Sequence, residues 1–146
     1  MKTGVTFSTF DLLHAGHILM LKEAKSVCDY LICGLHVDPQ IERPNKNKPV
    51  QSVVERYIQL SSVEYVDEII PYNLEMDLSD ILLGYNIDVR IIGADYKGEN
   101  FSGLDICQTK GIEIYYNQRS HSFSSSELRR RVAHAEQEEN KGLYKI

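Results

Sequence analysis

The sequence lacks several features that would fix its class at once. It carries no excess of positive charge: 16 Lys and Arg against 21 Asp and Glu give a formal net charge of −5. A general nucleic-acid binder is usually basic, so that class loses its support. A small anionic substrate stays compatible, because a few local cations hold a phosphate against an acidic background. Cysteine is scarce. Cys28, Cys33 and Cys107 are odd in number and show no C-x-x-C spacing, which argues against a disulfide framework or a zinc ribbon. No apolar run is long enough to span a bilayer. The opening "MKTGVTF" enters a strand pattern directly, so no signal peptide is expected and a cytoplasmic location is. Internal repeats and low-complexity tracts are missing. So are a Walker A motif and a GxGxxG fingerprint, which weakens P-loop and dinucleotide-binding readings.

What is present is a globular balance, with 42% hydrophobic and 25% charged residues in a 146-residue chain, enough for one domain with a real core. Short apolar runs predict strands at Gly4–Phe7, Tyr30–His36, Val66–Pro71, Val89–Gly93 and Glu113–Tyr116. Amphipathic patterns between them predict helices near Ile18–Ser26, Val53–Val63, Asp77–Leu83 and Ser125–Glu138. Ser52 with Glu55, and Ser124 with Glu127, have capping-box spacing. Strands alternating with helices imply an α/β fold: one Rossmann-like domain, a mostly parallel five-stranded sheet with helices on both faces. Ligands bind such sheets beyond the carboxyl ends of the strands. His14, Asp38, Asp95 and Arg119 each follow a predicted strand and should gather there. The long connection "DPQIERPNKNKPVQ" reads either as a binding loop or as a solvated surface loop. The domain is expected to end near residue 132, with residues 133–146 a polar tail that frays.

Two histidines, His14 and His17, crowd the first strand-to-helix junction in "TFDLLHAGH". Helix N-termini carry free N–H groups and the positive end of a dipole, so they attract anions. Gly16 would let a phosphate approach the backbone, and histidines at i and i+3 could donate to it. The competing readings are an incidental polar turn or a metal site, and the latter has only Asp11 nearby as a third ligand. A second cluster, "RSHSFSSSELRRRV", places Arg119 a few residues before three serines at another helix start. Capping explains Ser124 but not Ser125 or Ser126. Arg129, Arg130 and Arg131 read as a solvated helix face. Two anion-binding helix starts beyond one sheet suggest a polyphosphate held between them.

"TFDLLHAGH", "YVDEIIP", "NIDVRIIGADY" and "RSHSFSSSEL", in that order, resemble the HxGH nucleotidyltransferases, the cytidylyltransferases above all. The resemblance covers nearly the whole chain and makes residues 1–132 a nucleotidyltransferase domain. It implies that Thr9 and Phe10 line the nucleotide pocket, together with Ala15 and Gly16. His14 and His17 would bind the triphosphate and stabilise the transition state. Lys46 or Lys48 would act as the mobile lysine of the proline-rich loop, Lys46 as a catalytic group and Lys48 on the nucleotide. Asp95 would sit in the family's Gly-x-Asp turn. Arg119, with Ser120 and the serines Ser124, Ser125 and Ser126, would close over the nucleotide. Asp11 would lie beside the reacting centre, on the acceptor side. Similar enzymes use magnesium with the nucleotide rather than a protein-bound metal, and form homodimers.

The implied reaction is CMP transfer from CTP to a small phosphorylated alcohol, glycerol 3-phosphate being the reference acceptor, with release of pyrophosphate. The chain departs from the family at three places. Ser8 replaces the usual glycine before "TFD", Glu64 replaces the usual arginine before "YVDE", and "NLEMDLSD" lacks the lysines of similar glycerol-phosphate enzymes. Glu64 on the acceptor would favour phosphoethanolamine, phosphocholine or an aminoalkylphosphonate, unless a cation such as Arg56 substitutes for the missing arginine. An ATP-using adenylyltransferase and a catalytically silent nucleotide-binding module are the remaining alternatives.

Overall fold

The computed structural model describes residues 1–141. Five strands, β1 (Thr3–Ser8), β2 (Tyr30–His36), β3 (Glu68–Tyr72), β4 (Val89–Gly93) and β5 (Glu113–Asn117), form one sheet in the order β3-β2-β1-β4-β5. Every pairing is parallel, with Val5 opposite both Ile32 and Arg90. The helices are α1 (Ala15–Ser26), α2 (Val53–Ser61), α3 (Glu75–Gly84), α4 (Leu104–Lys110) and α5 (Ser125–Asn140), with single 3-10 turns at Pro39–Ile41 and Ala94–Tyr96.

Alternation along the strands sends side chains to two cores. Leu31, Cys33, Leu35, Val89 and Ile91 pack with Leu21 and Ala24 of α1 and Leu60 of α2. Val5, Ile32 and Tyr72 pack with Leu78, Ile81 and Leu82 of α3 and Cys107 of α4 on the other face. All five expected strands are present. Pro71 is tolerated inside β3 because that strand is the sheet edge, where a missing N–H breaks no ladder.

Three differences from the sequence expectations have local causes. α4 was not expected: it has seven residues, too few for a periodic pattern, and is bracketed by Gly103 and Gly111 at φ +83° and +71°. α1 begins at Ala15 rather than Ile18, which moves both histidines into its N-terminal turn. α5 runs on to Asn140 across the expected boundary at residue 132, so most of the predicted fraying tail is helical; residues 142–146 lie outside the described residues. The Ser52–Glu55 box forms in both directions, Ser52 Oγ accepting from Glu55 N–H and Glu55 Oε1 from Ser52 N–H. At α5 half the box forms: Ser124 Oγ accepts from Glu127 N–H, while the Glu127 carboxylate pairs with Arg130 instead.

The sheet order places the topological switch between β1 and β4. There the connections leaving the two strands diverge and open a crevice at the carboxyl edge.

Candidate active site

A cleft of about 1350 Å³ occupies that crevice, large enough for a nucleotide beside a second small substrate. Its walls include Thr9, His14, Gly16, His17, Lys46, Asp95, Arg119, Ser124 and Ser125, the first and last of which are far apart in sequence but share one edge of the sheet.

The two histidines build the start of α1. His14 is its N-cap, with φ −138° and ψ 179°, and its Nδ1 accepts from Gly16 N–H at 3.0 Å. His17 Nδ1 accepts from His14 N–H at 3.1 Å. Each ring therefore spends Nδ1 on a backbone donor, which fixes its neutral form as the Nε2–H tautomer. The rings lie 4.0 Å apart between centroids, and His14 Nε2 meets Ser125 Oγ at 3.2 Å, joining the starts of α1 and α5. Burial, followed by the charge of His14, pushes the His17 pKa down to about 4. Burial, His121 and Arg119 lower that of His14. Both rings are thus neutral hydrogen-bond donors at neutral pH, preorganised toward an anion. Gly16 serves the rings as well as any phosphate: a Cβ there would stand 2.7 Å from His14 Cε1 and 3.0 Å from His121 Cε1.

Several expected residues hold other positions. Phe10 does not line the cleft. It is fully buried, with its ring 5.9 Å from that of His17, and supports that histidine from behind. Asp11 is not free to meet an acceptor, because its carboxylate accepts from Val50 N–H at 2.8 Å, Gln51 N–H at 2.9 Å and Arg129 Nη2 at 2.9 Å. Arg129 accordingly leaves the solvated face and holds Asp11 and, more weakly, the Lys48 carbonyl at 3.5 Å. Phe10 and Leu12, both at φ +51°, bracket Asp11; such backbone is costly for non-glycine residues and is held here by the Asp11 bonds.

Glu64 lies exposed in the turn between α2 and β3, at the amino edge of the parallel sheet and so opposite the cleft. It is no acceptor ligand. Arg56 is no replacement cation either: it is 2% exposed and donates to the carbonyls of Thr9, His36, Val37 and Gln51, tying β1 to β2 and α2. Lys46 lines the cleft, whereas Lys48 is exposed and outside its lining, as are Ala15, Ser120 and Ser126. Asp38 caps the Pro39–Ile41 turn through Gln40 N–H. Ser8 lines the cleft and its Oγ accepts from Phe10 N–H at 3.3 Å. Sequence reasoning missed His121, which lines the cleft, stacks on Phe123 with centroids 5.2 Å apart, and accepts through Nδ1 from Phe123 N–H. Its place between Arg119 and the serines of RSHSFSSSEL was the available signal.

A profile of cytidylyltransferase-like sequences matches residues 5–131, a span that contains every cleft residue named above. The chain belongs to the cytidylyltransferase-like family. It is 35% identical over 134 residues to the glycerol-3-phosphate cytidylyltransferase of Bacillus subtilis, covering 91% of this chain and 98% of that one. It is 33% identical over 129 residues to the bifunctional protein HldE of Caulobacter sp., of which it spans 26%. Among solved structures, the lipopolysaccharide core biosynthesis protein of Thermoplasma volcanium superimposes with a TM-score of 0.68 at 23% identity, over 83% of this chain and 99% of that one, and shares the fold. In this chain the HAGH turn and the Arg119–Ser125 segment line one cleft from two sides.

Proposed function

We propose that this nucleotidyltransferase moves CMP from CTP to glycerol 3-phosphate, releasing pyrophosphate. The observation that carries the reading is the pair of neutral, Nε2–H histidines facing the α5 start across one cleft. Full-length similarity to the Bacillus subtilis enzyme supports the base and the acceptor.

An oxygen of the acceptor phosphate attacks the α-phosphorus of CTP. A Pα–O bond forms as the Pα–O bond to pyrophosphate breaks, and the leaving pair stays on the pyrophosphate oxygen. A phosphate monoester has a second pKa of about 6, so it enters as an anion and needs no general base. What the protein supplies is position and compensation of charge. His14 and His17 donate from Nε2, Lys46 and Arg119 provide cations, and the N–H groups of α1 and α5 add their dipoles.

Magnesium would travel with the triphosphate. Among the described residues no group of three His, Cys, Asp or Glu gathers to hold a metal, while Asp95 offers one carboxylate on the cleft wall. That donor set fits a hard ion that keeps substrate phosphates and water as its main ligands. Bound there, it would neutralise charge on the phosphates; Asp95 would orient it.

The reading includes a homodimer and a cytoplasmic location. Val54, Tyr57 and Ile58 form an exposed apolar stripe along α2, and three free thiols suit a reducing compartment. No helix among the described residues is long and apolar enough to cross a membrane.

Pyrophosphate release with magnesium and glycerol 3-phosphate should be faster with CTP than with ATP, GTP or UTP. Equal or better turnover with ATP would overturn the cytidylyl assignment.

A further inference from the structure

The cleft continues past the histidines onto the face that carries α3, where one residue fits poorly with a purely structural role. Arg90 projects from β4 on the side of Val5 and is 5% exposed. Its guanidinium carbon sits 5.0 Å from the centroids of both Phe7 and Phe101. Nη1 donates to the Ser102 carbonyl, the Cys107 thiol lies against the guanidinium, and Nε is buried with no hydrogen-bond partner of its own. The surroundings are fitted to this side chain. Gly103, at φ +83°, would bring a Cβ within 3.1 Å of Arg90 Nη1 and 2.4 Å of Leu82, and a Cβ at Gly34 would stand 2.3 Å from the Phe7 ring.

Glu75, the first residue of α3, lines the same lobe. Its Oε1 accepts from Arg43 Nη2 at 3.1 Å, and its Oε2 is buried without a partner. A buried guanidinium and a buried carboxylate oxygen with unmet hydrogen bonds are each unfavourable unless something completes them. The lobe thus offers one unsatisfied donor group and one unsatisfied acceptor.

The charges choose among ligands. At this end of the lining Arg43 and Arg90 stand with Glu75 and Asp105, two charges of each sign, while Lys46, Arg119 and Asp95 line the rest of the cleft. A second anion on the acceptor would meet the Glu75 carboxylate, and an ammonium would meet Arg90. A hydroxyl both donates and accepts, and suits both orphaned groups at once. The Phe7 and Phe101 rings suit the carbon skeleton between hydroxyls.

We propose that Arg90 and Glu75 are the specificity-determining pair for the acceptor: Glu75 Oε2 accepts from, and Arg90 donates to, hydroxyls at the end of a polyol phosphate remote from its attacking phosphate. The inference rests on the cytidylyl-transfer reading and adds the residues that would recognise its acceptor. It also disfavours phosphoethanolamine and phosphocholine.

The test compares kcat/KM for glycerol 3-phosphate, propyl phosphate, phosphoethanolamine and 3-phosphoglycerate with CTP. Sites built to bind a hydroxyl reject analogues without it strongly, so propyl phosphate should be about a hundredfold poorer or worse. Glu75→Gln, isosteric and on a partly exposed residue, should narrow the glycerol-to-propyl ratio by about tenfold. Arg90→Lys should narrow it too, with folding checked by thermal melting. Comparable use of propyl phosphate by the wild type overturns the proposal while leaving cytidylyl transfer intact. So does faster use of phosphoethanolamine or 3-phosphoglycerate, or an unchanged ratio in Glu75→Gln. Should CTP give no turnover with any acceptor, the transfer reading fails instead. Calorimetric binding of glycerol 3-phosphate against propyl phosphate then decides the lobe by itself, equal affinities counting against it.

Discussion

A histidine that caps a helix through Nδ1 is committed to donate through Nε2, and the HAGH turn does this twice. The polar-turn reading and the site reading share this one geometry, because capping itself prepares the donors. His14→Ala and His17→Ala should each lower kcat by about a hundredfold, as loss of one preorganised donor does elsewhere. A variant that changes KM alone would make that histidine a binding group. His14→Ala also removes the N-cap of α1 and should cost about 1 kcal/mol of stability. The low pKa of His17 adds a pH signature. Between the ordinary histidine value of 6.5 and about 4, the unfolded chain binds a proton at this residue that the folded chain does not. Stability should therefore fall as pH drops through that window, by up to about 3 kcal/mol from this ring. His14 and His36, also lowered, add in the same direction. Urea unfolding of wild type and His17→Asn at pH 7 and pH 5 measures it, and the variant should lose less stability on acidification. Asp11, whose pKa is lowered from 3.8 despite the opposing effect of burial, gives up its stabilisation only below that value and stays out of the window.

At the scale of elements, one carboxylate joins three of them. Asp11 in the β1–α1 turn holds the backbone that leads into α2 through Val50 and Gln51, and holds α5 through Arg129. The loop carrying Lys46 and the helix start carrying Ser125 are thereby referred to the same atom pair. Asp11→Ala should destabilise by about 3 kcal/mol, since it strands a partly buried Arg129 whose Nε is already unpartnered. A double-mutant cycle with Arg129→Ala should return a coupling above about 1 kcal/mol, and additive effects would show the pair to be incidental. The same reasoning explains why Arg129 and Arg130 differ. Arg129 points at Asp11, while Arg130 pairs with Glu127 on the exposed side of the same helix.

At the scale of the whole molecule, the sheet presents its carboxyl edge to the cleft, and the exposed face of α2 remains apolar. Val54 and Ile58 are each 63% exposed and lie one turn apart beside Tyr57, an arrangement that a lone domain gains nothing by keeping. If the proposed homodimer forms through this stripe, Ile58→Glu should shift it to monomer in sedimentation velocity. A wild type that sediments as a monomer at tens of micromolar would remove the dimer from the functional reading.

Periodicity and spacing by themselves determined the strands, most of the helices, the parallel sheet and both helix starts that face the cleft, because each rests on a local pattern within one turn or one strand. HAGH and SSSEL were legible for that reason, and so was the edge at which they meet. Which side chains turn into the cleft was decided only by tertiary structure. Glu64, which the family resemblance put on the acceptor, lies at the opposite edge because the α2–β3 turn must close there in a parallel sheet. Asp11 and Arg56 were spent on backbone partners up to 47 residues away, bonds that no local pattern announces. In the sequence Arg90 is one charged residue within the apolar strand Val89–Gly93. Its role emerged from Phe7, Phe101 and Gly103, which reach it from three separate segments, and a buried charge takes its meaning from what the whole fold packs around it.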